Sequence, residues 1–136
     1  MSEINIKEGL SESLKLYYNS LESGDIGSLK TLMTEESYMI TLDSLGFKRA
    51  FKDSHFKALL EDIGENKSSL IKIEEVISEE LRNQAKKHNI DVVNTEENGA
   101  ERFTLHYLED KQPKKMYFSS ASGEWKIDYM AGRKVN

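Results

Sequence analysis

The chain has 136 residues, 32% of them charged and 38% hydrophobic, with a formal net charge of −5; that suffices for one domain with a real core and leaves no broad electrostatic footprint for nucleic acid. Cysteine is absent, which excludes disulfides, thiolate metal sites and cysteine nucleophiles. No apolar run approaches the ~20 residues of a membrane helix, and Met1-Ser2-Glu3-Ile4-Asn5 has neither the basic segment nor the apolar core of a signal peptide, so a cytoplasmic protein without membrane or nucleic-acid partners is expected.

In chain order, Ile6, Leu10, Leu14, Tyr17, Tyr18 and Leu21 fall at helical spacing and predict a helix with one buried stripe. Gly24 is placed to end it. Asp25 can cap a second, shorter helix whose stripe is Ile26, Leu29, Leu32 and Met33. Ser37-Tyr38-Met39-Ile40-Thr41-Leu42 is rich in strand formers and predicts a short strand. Gly46 then breaks the chain, leaving Phe47 and Phe51 in a loop. Phe56, Leu59, Leu60 and Ile63 predict a third helix over 53–63, with Gly64 as its stop.

The period then changes. Leu70, Ile71, Ile73, Val76 and Ile77 suggest a long strand with an irregular step near Glu74-Glu75. Residues 78–89 read as a short charged helix or an extended arm interrupting a sheet. A strand resumes over 90–93 and turns at Glu97-Asn98-Gly99. Residues 102–109 alternate, with Phe103, Leu105 and Tyr107 on one face and Thr104, His106 and Leu108 on the other. A loop over 110–114 holds the only proline, Pro113. A strand over 115–121 and a Ser122-Gly123 turn lead into Glu124-Trp125-Lys126-Ile127-Asp128-Tyr129, which alternates as a last strand. Helices first and strands second, with short connections between the strands, argue for α+β: about three helices on one face of a curved, mainly antiparallel sheet within a single domain spanning 1–136.

Two short motifs carry a family resemblance. Leu21-Glu22-Ser23-Gly24-Asp25-Ile26, followed by Leu29 and Leu32, resembles the helix–Gly-Asp–helix opening of the NTF2-like (SnoaL, cystatin-like cone) superfamily, and Gly123-Glu124-Trp125-Lys126-Ile127 resembles its final-strand signature. The motifs lie near opposite ends of the chain, in the right order. The resemblance implies a cone: three helices wrapped by a strongly bent sheet, often with a pocket at the open end and a dimer through the outer sheet face. Members include isomerases and dehydratases as well as binding modules, so the fold itself does not fix a chemistry. The 78–89 stretch departs from compact versions of this fold.

The residues offer several candidates. Acid–base chemistry of the isomerase or dehydratase type needs a carboxylate or histidine in an apolar pocket with a phenol as donor; His106, Asp128 and Tyr38 are the candidates, each with a bland alternative as an ordinary structural side chain. A small apolar ligand would be caged by Tyr38, Phe51, Phe56 and Tyr107, aromatics that are otherwise core. His55, His88 and His106 show no metal spacing, and the paired glutamates lack the glycine and asparagine of a calcium loop, so no metal and no cofactor is expected. Strands 103–108 and 116–120 carry large side chains on both faces, which predicts a homodimer through the uncovered sheet face. The leading expectation is a dimeric small-ligand-binding or non-catalytic domain; the rival is a small cofactor-independent enzyme.

Overall fold

The computed structural model describes residues 3–84, 86–121 and 124–132. Its architecture is α+β. Among the described residues five helices, not about three, namely α1 (Glu3–Ser23), α2 (Ile26–Leu32), α3 (Glu35–Lys52), α4 (Ser54–Glu61) and α5 (Lys67–Gln84), precede four strands, β1 (Ile90–Gly99), β2 (Arg102–Glu109), β3 (Gln112–Ala121) and β4 (Glu124–Ile127), and a 3-10 turn η1 (Tyr129–Gly132). The strands form an open antiparallel meander in the order β1-β2-β3-β4.

The first two helices follow the predicted logic. Leu10, Leu14 and Tyr18 of α1 are buried, as is Leu29 of α2. Gly24 sits between them at φ +71°, a left-handed conformation that costs glycine least. A Cβ there would overlap the Ser78 carbonyl oxygen of α5 and lie 2.7 Å from Arg82 Cγ; the Ser78 hydroxyl also donates to the Gly24 carbonyl. The glycine thus ends α1 and admits α5 against the turn. Asp25 accepts from the Ser28 backbone N–H at 3.1 Å and from its hydroxyl at 2.7 Å, and these bonds hold its carboxyl below the usual carboxylate range.

Residues 37–42 are not a strand. They lie inside α3, and the β-propensity of the segment is overridden by a cap and a buried stripe. Thr34 accepts from the Ser37 N–H at 3.2 Å, and Glu35 and Glu36 occupy the first turn, where negative charge is favoured. Tyr38, Leu42 and Gly46 then recur on the buried face. Gly46 breaks nothing: a Cβ there would stand 3.1 Å from Phe56 Cε1, so the glycine lets α4 pack closely on α3. Phe47 and Phe51 consequently lie on a helix, not in a loop. Asp53 caps α4 by accepting the His55 and Phe56 N–H groups at 3.0 and 3.1 Å.

The strand expected over 70–77 is likewise helical, the middle of α5. Leu70, Ile73, Ile77 and Leu81 line its inner side while Ile71 is exposed. The β-branched run masked a 3.6-residue period. Residues 78–84 complete this helix, so the predicted charged arm is mostly its last turns; Ala85 lies outside the described residues.

In the sheet, β1 is longer than expected, reaching Gly99 with irregularities at Val93 and Asn98, and the turn falls at Ala100-Glu101. The 110–114 loop is instead a two-residue turn. Asp110 and Lys111 have φ +50° and +70°, as the primed hairpin turns need, and Pro113 stands inside β3, opposite Leu108, near the start of a strand where proline is tolerated. The Ser122-Gly123 turn lies outside the described residues. The last strand ends at Ile127; Asp128 accepts the Met130 N–H at 3.0 Å, opening η1 and carrying Tyr129 out of the alternation.

One core joins the layers. Phe103, Leu105 and Tyr107 of β2, Met116 and Phe118 of β3, and Trp125 and Ile127 of β4 face the helices and pack with Leu10, Leu14, Leu42 and Ile73. Phe103 meets Trp125 edge-on at 5.3 Å, and Gly9 of α1 lies beneath the Trp125 ring. The edge of β4 receives the α2–α3 link: Met33 bridges Ile127 in parallel fashion and Thr34 N–H donates to Ile127 O at 3.0 Å. Among the described residues no helix is long and apolar enough to cross a membrane.

Candidate functional site

Two features stand apart from ordinary packing: a cluster of tyrosines under the sheet and an apolar stripe on the outside of α3. The tyrosine cluster forms where the end of α1 meets β2 and η1. The Tyr18 and Tyr107 hydroxyls share a hydrogen bond of 2.8 Å in a buried setting. Tyr17 stacks edge-on against Tyr18 at 5.2 Å, and the His88 ring tilts against Tyr18 at the same separation. Burial, then the Tyr107 hydroxyl and the Glu109 carboxylate, push the Tyr18 phenol well above its ordinary range. Burial and Tyr129 do the same to Tyr17. Burial also raises Tyr107, against the opposing bond from Tyr18. The arrangement suits neutral phenols that bond one another. A phenolate base is disfavoured here, because each hydroxyl is held in its protonated form. Glu22 closes one side, accepting the His88 backbone N–H at 2.8 Å.

The predicted catalytic residues do not meet. His106 projects from the opposite face of β2 to Tyr107, and its Nε2 lies 3.0 Å from Glu96 Oε1 on β1. Asp128 is a capping carboxylate at the start of η1. Tyr38 is buried in α3 and donates to Glu74 on α5; burial and that carboxylate raise its phenol. The predicted ligand cage is also dispersed. Phe56 fills the α3–α4 contact beneath Gly46, with the Arg49 guanidinium 5.4 Å over its ring. Tyr107 belongs to the tyrosine cluster, and Phe51 points away from the core. Open surface grooves are present instead. One, about 630 Å³, lies between the Gly24 turn and α5 and is bordered by Asp25, Glu74, Glu75, Ser78 and Arg82. Among the described residues no group of three or more histidines and carboxylates could hold a metal.

The sheet face away from the helices is mainly polar, with Leu108 and its partner Pro113 as apolar members at one end. By register and alternation it presents Asn94 and Glu96 of β1, Arg102, Thr104 and His106 of β2, and Lys115, Tyr117 and Ser119 of β3. Leu16, Ile71 and Val93 are exposed singly on α1, α5 and β1, whereas α3 carries a run of exposed apolar side chains. Ile40, Phe47 and Phe51 are 42%, 65% and 85% exposed. Their spacing with Ser44 puts all four on one side of the helix, opposite buried Tyr38, Leu42 and Gly46. This stripe was concealed in the sequence by the strand-like 37–42 segment and by Gly46. The signal that reveals it is a second helical period, at 40, 44, 47 and 51, out of phase with the buried one.

No family model, curated protein or solved structure matches the chain.

Proposed function

We propose that this chain is a non-catalytic domain of the NTF2-like kind that works by assembling with another protein chain through the outer face of α3. The observation that carries the reading is the exposed stripe of Ile40, Phe47 and Phe51 on a helix whose inner face is fully packed. Two large phenylalanines in contact with water cost free energy that burial against a partner recovers, at roughly 25 cal/mol per Å². Solvated monomers seldom keep such rings together. The NTF2-like part rests on the order of helices before sheet, on the Gly24-Asp25 turn seated against α5, and on Trp125 of the last strand packing over α1.

The acid–base reading is less favoured because His106, Asp128 and Tyr38 each serve a separate partner. A small apolar ligand is less favoured because its four expected contacts occupy different places in the fold. Dimerisation through the sheet would bury the charged and polar side chains of that face, where unpaired groups are costly.

The reading predicts a site-specific contact. With a photo-activatable benzoyl-phenylalanine at position 51, illumination of cells should yield a protein adduct of discrete mass. The adduct should vanish when Phe47→Glu is added and should not form from the same probe at Lys111, on the exposed β2–β3 turn. A probe at 51 that yields no adduct, or one indifferent to Phe47→Glu, refutes assembly through α3.

A further inference from the structure

We infer that the partner on α3 is a second copy of this chain, paired with its α3 parallel to the first; the inference rests on the reading of α3 as an assembly surface. The spacing Ile40, Ser44, Phe47, Phe51 alternates steps of four, three and four residues, the pattern of a two-stranded coiled-coil seam. The run covers eleven residue steps, about 17 Å of helix. The inner residues are already committed to the core, so only this seam is free to pair.

The flanks of the seam decide the occupant and its direction. Asp43 lies on one flank and Lys48 on the other, both exposed and five residues apart. In a parallel pair, that offset sets Asp43 of each copy beside Lys48 of the other, giving two symmetric ion pairs. Antiparallel copies would turn like flanks together, bringing the Glu36 and Asp43 flank onto itself. A uniformly acidic or basic partner would match one flank and be repelled by the other. A surface complementary to itself across a two-fold axis is what an isologous dimer requires. Phe47 and Phe51 form the apolar layers of the pair, Ile40 a third, and the small Ser44 lies between them.

Light scattering and sedimentation of the purified chain, from about 1 to about 200 µM, test the inference. A monomer–dimer equilibrium is expected. Phe51→Glu should weaken it by about 100-fold, placing a charge in one of the two phenylalanine layers. Because Phe51 is 85% exposed, its replacement leaves the fold intact, which circular dichroism and unchanged thermal unfolding at dilute concentration verify. Asp43→Lys and Lys48→Asp should each weaken the dimer by about tenfold through like-charge contacts. The double variant D43K/K48D should recover it, and an equimolar mixture of the two single variants should form a heterodimer. A wild-type monomer throughout the range, a dimer indifferent to Phe51→Glu, or charge swaps that neither recover nor pair would overturn the inference. If the in-cell adduct at position 51 forms but the purified chain stays monomeric, the second copy is excluded while assembly through α3 stands. If neither occurs, both fall.

Discussion

Replacing Gly24 by alanine is expected to destabilise the protein by about 3 kcal/mol, combining a left-handed backbone cost of about 1–2 kcal/mol with overpacking of about 1–3 kcal/mol. Both terms have a visible origin. The residue holds φ +71°, and the added methyl group would overlap the Ser78 carbonyl oxygen and crowd Arg82 of α5. Backbone cannot move aside as a side-chain tip can, so the α1–α2 turn must lift from α5. For a chain of this length the melting temperature should fall by about 10 °C. Gly64→Ala is the matched control: a Cβ there meets nothing within 4 Å, and its effect should stay within about 0.5 kcal/mol. Thermal unfolding followed by circular dichroism separates the two. Equal melting temperatures for both variants would show that the turn does not seat against α5.

The second large effect is loss of stability in alkali. Tyr17, Tyr18, Tyr38 and Tyr107 all have phenols raised above their ordinary range in the folded protein. A raised folded-state value favours the neutral phenol. Its contribution is therefore fully present below the unfolded pKa of about 10 and is lost as pH climbs above it. Above that point the unfolded chain releases protons that the folded chain retains. A phenol held well above its unfolded value costs on the order of 1 kcal/mol per pH unit beyond that point, and several buried together make the loss steep. A domain of ordinary stability, about 5–15 kcal/mol, should unfold within a few units above that point. Tyrosinate absorbance should show these four phenols ionising together, in the same step in which the circular dichroism collapses. Their ionisation near pH 10 with the fold retained would contradict the burial of the tyrosine cluster and of Tyr38.

The same contacts explain which parts of the sequence could be read directly. The α1–α2 turn was legible because glycine and aspartate act locally: one accepts a left-handed backbone, the other accepts N–H bonds from Ser28. Strand β2 was legible because Phe103, Leu105 and Tyr107 alternate with polar neighbours over a sheet buried on one face, whereas the tight turn into β3 was not, because Pro113 reads as a loop residue. Residues 37–42 and 70–77 misled because Tyr, Ile, Thr and Val favour strands locally while their burial is decided by distant partners. Tyr38 is fixed by Glu74 on α5, 36 positions away, and Ile73 and Ile77 by a core that includes α1 and the sheet. Gly46 reads as a breaker in isolation and proves to be the gap into which Phe56 packs. The tyrosine cluster draws its members from residues 17 to 129, so no local spacing announces it. The α3 stripe was hidden by the same strand-like stretch, since Phe47 and Phe51 acquire a common side with Ile40 only when the helix is continuous through Gly46.

Pairing of two copies through α3 is read most directly by amide hydrogen exchange at low and high protein concentration. Residues 35–52 should be protected as one helix, and raising the concentration should add protection within 40–51 while strands β2 and β3 stay unchanged. Extra protection confined to β2 and β3, or none anywhere, would contradict it.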